Sequence, residues 1–248
     1  MQSRFWLTVA AGVLAAGFAQ AQDAAMIAKG KALFEDAKLS ADGKTSCATC
    51  HPNNGHTDNK TYVGLNIVPD GQADGRSTPT LWGAGTRSVY AWAGTAPKLE
   101  GNIRGIIVNR MKGAEPSPET LGALVAYVSS LKPPMSGQVD ETGAPTDKAS
   151  AAVKRGFDLF TGDGECGTCH VLPTLDKAET EDMELGGKFK VPALWAVSKT
   201  APYLHDGRTK DLGEAVKTMW EAQKKKAGNP GSPTAAQVND LVAYLNAL

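Results

Sequence analysis

Two five-residue segments, CATCH at residues 47–51 and CGTCH at 166–170, share the pattern C-x-x-C-H and use all four cysteines of the chain. That order of residues matches one covalent chemistry. Two thiols add to the vinyl groups of a porphyrin, and the histidine that follows offers a ring nitrogen to the iron, which makes C-x-x-C-H the attachment sequence of c-type haem. Cys47, Cys50 and His51 are expected to hold one haem c, and Cys166, Cys169 and His170 a second. A four-thiolate zinc site and a thioredoxin-like redox pair are the competing readings. Zinc ribbons keep their pairs about 15–20 residues apart, these pairs stand much farther apart, and neither reading asks for a histidine after the second cysteine.

The start of the chain places this chemistry outside the cytoplasm. Arg4 precedes an apolar run from Phe5 to Phe18, and Ala19-Gln20-Ala21 has the small-x-small form of a signal-peptidase site. The apolar run falls short of the roughly 20 residues that span a bilayer, so residues 1–21 are read as a signal peptide and the mature protein as periplasmic. Basic and acidic residues balance at 26 each, which gives no support to a nucleic-acid partner.

The rest of the chain repeats with the motif. GKALF (Gly30 to Phe34) precedes the first C-x-x-C-H and GFDLF (Gly156 to Phe160) the second. TPTLWGAGTRSVYAWAG follows one and VPALWAVSKTAPYLHDG the other, matching Pro79, Leu81, Trp82 and Tyr90 with Pro192, Leu194, Trp195 and Tyr203. Each half closes on the same words, ALVAYVSSL (Ala123 to Leu131) and DLVAYLNAL (Asp240 to Leu248). This is one module duplicated, with domains expected at 22–133 and 149–248 and a Pro/Gly/Asp-rich linker at 134–148. Helical periodicity is expected over Ala25 to Asp36, Glu119 to Leu131 and Ala236 to Leu248, with almost no sheet. The fold class is mainly α: two tandem domains like cytochrome c, each wrapping one haem.

The wording LSADGKTSCATCH, GHTD, GRSTPTLW and KVPALWAVSKTAPYLHDGR resembles the bacterial di-haem cytochrome c peroxidase and MauG superfamily. The resemblance implies a reactive N-terminal haem fed with electrons by the C-terminal one, and a calcium ion between domains in some members. It also implies a methionine ligand fourteen residues after the histidine of His205-Asp206-Gly207, which is Met219; Met183 is the rival. Met/His ligation fills both axial sites and suits electron transfer. Trp92 matches the family's tryptophan relay between haems. Trp82 and Trp195 are read as rings packed on porphyrin. Arg76 and Arg208 are candidate partners for haem propionates. The run Lys224 to Lys226 is read as a solvated face, or as a patch that steers an acidic redox partner.

The first domain departs from the family pattern. The other histidines are His56, His170 and His205, and His56 follows His51 too closely to reach the opposite face of the ring comfortably. The family's pocket glutamine falls on Asn102. Its acid, expected to shuttle the proton in peroxide cleavage, falls on Arg110, and a guanidinium stays protonated. Met111 is a candidate sixth ligand for the first iron; core packing is the other reading, and water, a lysine or His56 could close the site instead. The main expectation is electron transfer between redox partners, such as a small cytochrome or a cupredoxin, through two haems. The alternative is hydrogen peroxide reduction, or MauG-like oxidation, at the N-terminal haem, with Glu115 or Glu100 as the nearest substitute acids.

Overall fold

The structure is a computed structural model and describes residues 23–62 and 75–248. The segment 1–21, expected to be a signal peptide, lies outside them. Helices dominate. We label them α1 (residues 23–35), α2 (Leu99–Gly105), α3 (Pro118–Ser130), α4 (Ala151–Thr161), α5 (Leu212–Lys226) and α6 (Ala235–Ala247). Local chemistry sets their starts. Ser117, Ser150 and Thr234 accept hydrogen bonds from the backbone N–H three residues on, and Asp211 does so from Glu214. None of the described helices is long and apolar enough to cross a membrane.

Each module is built on one helix crossing. α1 crosses α3 at Gly30, where a β-carbon would stand 1.9 Å from the Ala123 carbonyl oxygen. α4 crosses α6 at Gly156, where it would stand 2.0 Å from that of Asp240. The repeated phenylalanine and tyrosine meet beside each crossing: Phe34 and Tyr127 ring centroids lie 5.2 Å apart, and so do those of Phe160 and Tyr244. Surface ion pairs, Lys29–Glu119 and Arg155–Asp240, tie the same helices together.

The duplication extends into loops and short strands. After each Pro-x-Leu-Trp, the next residue is left-handed and donates its N–H to the leucine that closes the module: Gly83 to Leu131 at 2.8 Å, Ala196 to Leu248 at 3.0 Å. β1 (Thr61–Tyr62) pairs antiparallel with β2 (Arg76–Ser77), and β3 (Thr180–Asp182) with β4 (Lys188–Lys190). These ribbons are too short to leave an alternating pattern, which agrees with the expectation of almost no sheet.

The ribbons join the two modules. Ser77 N–H donates to the His205 carbonyl at 3.0 Å, and Lys190 N–H donates to that of Trp92 at 2.8 Å. In the repeat Ser77 matches Lys190 and Trp92 matches His205, so the two bonds are one interaction made in both directions, as in an isologous dimer interface. Gly94 and Gly207 obey the same exchange. Both have positive φ, and a β-carbon would come within 2.6 Å of Thr180 in one case and 2.4 Å of Thr61 in the other. The segment 134–148 lies on the second module: Val139 is buried in its core, Tyr244 donates to the Gly143 carbonyl and Ser136 to that of Ala247.

Candidate haem sites

Both C-x-x-C-H segments form tight helical turns, in which the histidine N–H donates to the first cysteine's carbonyl at 2.9 Å. This places the two thiols and the imidazole along one side of the turn. Cys47 packs on the first core and Cys166 on the second, so the four thiolates of a single zinc site never gather. Burial pushes the Cys47 thiol up to about 11 and the Cys166 thiol up to about 12. A redox pair needs the opposite shift, toward thiolate.

Each histidine is held neutral, the form that binds iron. Burial lowers His51 to about 4 and also lowers His170. His170 Nδ1 donates to the Leu175 carbonyl at 3.0 Å, which fixes the ring and leaves Nε2 to act as a ligand. The carbonyl in the same place in the first module is that of His56; it acts on His51 and favours its protonated form, but stands outside ordinary hydrogen-bond geometry at the buried Nδ1.

In the second domain His170, Cys166 and Cys169 line a cavity of about 310 Å³, walled by Phe160, Leu241 and Trp220. Met219 of α5 lines it as well, and so does Met183, which follows β3. The first domain contributes Arg87, Tyr90 and Trp92 to the same cavity. The Trp92 indole donates to the Ser77 carbonyl at 2.9 Å. An apolar cavity with two buried thiols, a ligating imidazole and a thioether fits a covalently attached haem.

The first site has different chemistry. Arg110 ends a π-helical turn (Ile106–Arg110), and its guanidinium lies 5.7 Å from the Tyr62 ring centroid. Tyr62 donates to Asp58 at 2.5 Å, which raises its pKa above the ordinary tyrosine value, and the Cys50 thiol lies 3.7 Å from the Tyr62 oxygen. Met111 follows the π turn and packs on the core that also holds Cys47. Its carbonyl accepts from Ala41 N–H at 3.0 Å.

Several other residues singled out in the sequence have well-defined contacts. His56 is engaged at the seam between modules: Nε2 donates to the Lys199 carbonyl at 2.9 Å, Nδ1 sits 3.3 Å from the Thr80 hydroxyl, and the ring stacks on Trp82 at 4.2 Å. Trp82 therefore packs on a histidine, with its indole N–H on the Asn54 carbonyl. Trp195 is buried in the second core. Arg208 is held by Asp206 and the Leu185 carbonyl, and Arg76 lies over the Phe189 ring at 5.2 Å. Lys225 and Lys226 pair with Glu184 and Glu181 of the β3–β4 ribbon, and Lys224 with Glu165 at 3.5 Å. This run ties α5 to the rest of its domain. Glu115 is bound by Arg104 at the surface and Glu100 is exposed, so neither stands ready as a buried acid. Among the described residues, no three His, Cys, Asp or Glu side chains gather to hold a metal ion such as calcium.

Sequence reasoning missed Arg87, Asp176 and Lys190. Lys190 and Asp176 are buried where the domains meet, and burial lowers Lys190 to about 8. The tertiary fold assembles them from two loops and the end of β4.

Two helical modules, each with a C-x-x-C-H turn set into its core, define a di-haem c-type cytochrome. Residues 24–139 match the family model for di-haem cytochrome c peroxidase, and residues 153–248 that for cytochrome c. The methylamine utilization protein MauG of Methylorubrum extorquens is 30% identical, over 90% of this chain and 77% of its own length. The cytochrome c551 peroxidase of Nitrosomonas europaea is 28% identical, over 92% of this chain and 80% of its own. A solved MauG-like protein associated with microbial copper homeostasis shares the fold, with a TM-score of 0.69 and 22% identity over 90% of this chain and 88% of that one. The chain belongs to the di-haem cytochrome c peroxidase and MauG family, and it carries two covalently bound c-type haems.

Proposed function

We propose that this protein is a periplasmic electron carrier built on the peroxidase-family fold. Cys47, Cys50 and His51 hold one haem, and Cys166, Cys169 and His170 the other, with Met219 completing the second iron and Met111 the first. Each bound haem supplies an iron that takes up and returns one electron. The polypeptide does the rest. It holds both imidazoles neutral, lines the second cavity with mostly apolar walls, and sets Trp92 in the loop between the modules as a relay. Small redox proteins are the partners that fit this reading.

One observation carries it. At the position of the family's acid, this chain has Arg110, with its guanidinium beside Tyr62, and no histidine is left to act as a releasable ligand. Peroxide cleavage needs a group that gives and takes a proton near the iron, and a guanidinium keeps its proton. The MauG and peroxidase relatives favour a second reading, oxidation chemistry at the first haem. The Asp58–Tyr62 pair beside Cys50 is the specific feature that would serve it.

Ligand binding separates the two. Cyanide and carbon monoxide should bind the first haem of the native protein poorly, and turnover of peroxide with a reduced cytochrome donor should be slow. Met111→Gly should open the iron to both ligands while turnover stays low. Rapid peroxide reduction by the wild-type protein would overturn the carrier reading.

A further inference from the structure

We propose that Arg87 of the first domain and Lys190 of the second together bind a propionate carboxylate of the second domain's haem, so that both domains hold that haem. Both side chains line the cavity that contains His170. Arg87 Nη2 donates to the Trp82 carbonyl at 2.7 Å, which fixes the guanidinium, while Nε is sealed from solvent and has no partner. Lys190 is 7% exposed, and its ammonium reaches only the Val191 carbonyl, at 3.3 Å.

Charge balance points the same way. Asp176 is 3% exposed and influences both cations, yet its Oδ2 has no partner, and it makes no ion pair with either. Two buried cations and one carboxylate leave an excess positive charge in the interior. An uncompensated buried charge is costly. A guanidinium is matched in shape to a carboxylate, and such bonds are about twice as strong as neutral ones. A haem brings carboxylates on its own side chains, and this cavity holds the haem's attachment residues. Arg76 and Arg208, which flank the repeated segments, have the contacts described above.

The arrangement couples the domains. Arg87 sits in the loop whose Leu81 and Tyr90 pack on the first core. Tyr90 donates to the Arg87 carbonyl at 2.9 Å. Lys190 is fixed to the same loop through the Trp92 carbonyl.

Spectroelectrochemical titration of the haem-loaded protein at several pH values tests the proposal. In Arg87→Gln the second haem's midpoint should shift downward, because an unneutralised carboxylate disfavours the electron. It should also gain pH dependence, as the carboxylate now takes up a proton in the neutral range. Arg87→Lys should restore most of the wild-type behaviour. Lys190→Met should repeat the shift from the other domain, and it decides the matter if Arg87→Gln does not fold. The first haem should not move. Arg155→Gln, an equal charge change at the surface, should leave both haems unchanged. The proposal is overturned if Lys190→Met leaves the second midpoint and its pH slope at wild-type values, if both haems shift together, or if Arg155→Gln gives the same shift. It is likewise overturned if the effect appears only with added acetate, which would assign the site to a dissolved carboxylate.

Discussion

His170 and His51 occupy the same place in two copies of one motif, yet their surroundings differ. His170 is pinned through Nδ1 to Leu175, whereas the matching His56 carbonyl stands outside ordinary hydrogen-bond geometry at the buried His51 Nδ1. A hydrogen bond at Nδ1 raises the basicity of the ligating nitrogen, an effect that His170 receives through a bond of ordinary geometry and His51 through a looser contact with the His56 carbonyl. Two thioethers, Met219 and Met183, also line the second cavity. Met219 extends from a capped fifteen-residue helix between the buried neighbours Val216 and Trp220, while Met183 follows a three-residue strand. The helix fixes its side chain more firmly. Met219→Ala should therefore abolish the methionine-to-ferric absorption band of the second haem and lower its potential, and Met183→Ala should change neither. The reverse result, read by visible and near-infrared spectroscopy, would assign the ligand to Met183.

At the scale of elements, the two helix crossings dominate. Gly30 and Gly156 let α1 and α4 lie against the backbones of α3 and α6 at distances that leave no room for a methyl group. Overpacking of this kind costs about 1–3 kcal/mol, and occasionally more. Here the obstacle is a main-chain carbonyl, which cannot swing aside. Gly30→Ala should destabilise the first module and Gly156→Ala the second, each by an amount at or above that range in denaturant titrations. Loss of the haem signal should begin in the module that carries the change. Equal unfolding of both haem environments by either variant would mean that the modules share one cooperative core.

For the whole molecule, the seam between modules includes polar contacts, two of them a reciprocal pair of main-chain bonds. His56 adds a side-chain bond from the first module to the Lys199 carbonyl, and Asn59 donates to the same carbonyl and to that of Ala201. Removing one partner of such a bond costs about 1–3 kcal/mol. His56→Phe keeps a ring to stack on Trp82 but loses the donor, so it should loosen the seam without emptying either core. Thermal unfolding followed at the two haems should then separate into two transitions; a single coincident transition would show that other contacts hold the modules together. The pH dependence has a definite sign. Burial lowers the His56 pKa below 6.5, so the unfolded chain takes up this proton first and stability falls as pH drops below that value. His56→Phe should remove that part of the acid sensitivity.

The covalent chemistry was legible in the residues alone, because C-x-x-C-H is a local pattern whose meaning does not depend on what surrounds it. The module boundaries, the closing helices and the mainly helical class followed from repeated words and 3.6-residue periodicity, which are also local. Even Gly30 and Gly156 stood out as repeated letters, although only the fold shows what they make room for. The tertiary structure decided everything that depends on one module meeting the other. It turned His56 toward Lys199, stacked Trp82 on His56, spent the lysine run on acids of its own domain, and drew Arg87, Asp176 and Lys190 to one buried place. Such contacts join residues far apart in the chain and are made by the burial of charged and polar groups. No spacing rule announces them, because their cost and their partners exist only once the two modules have closed on each other.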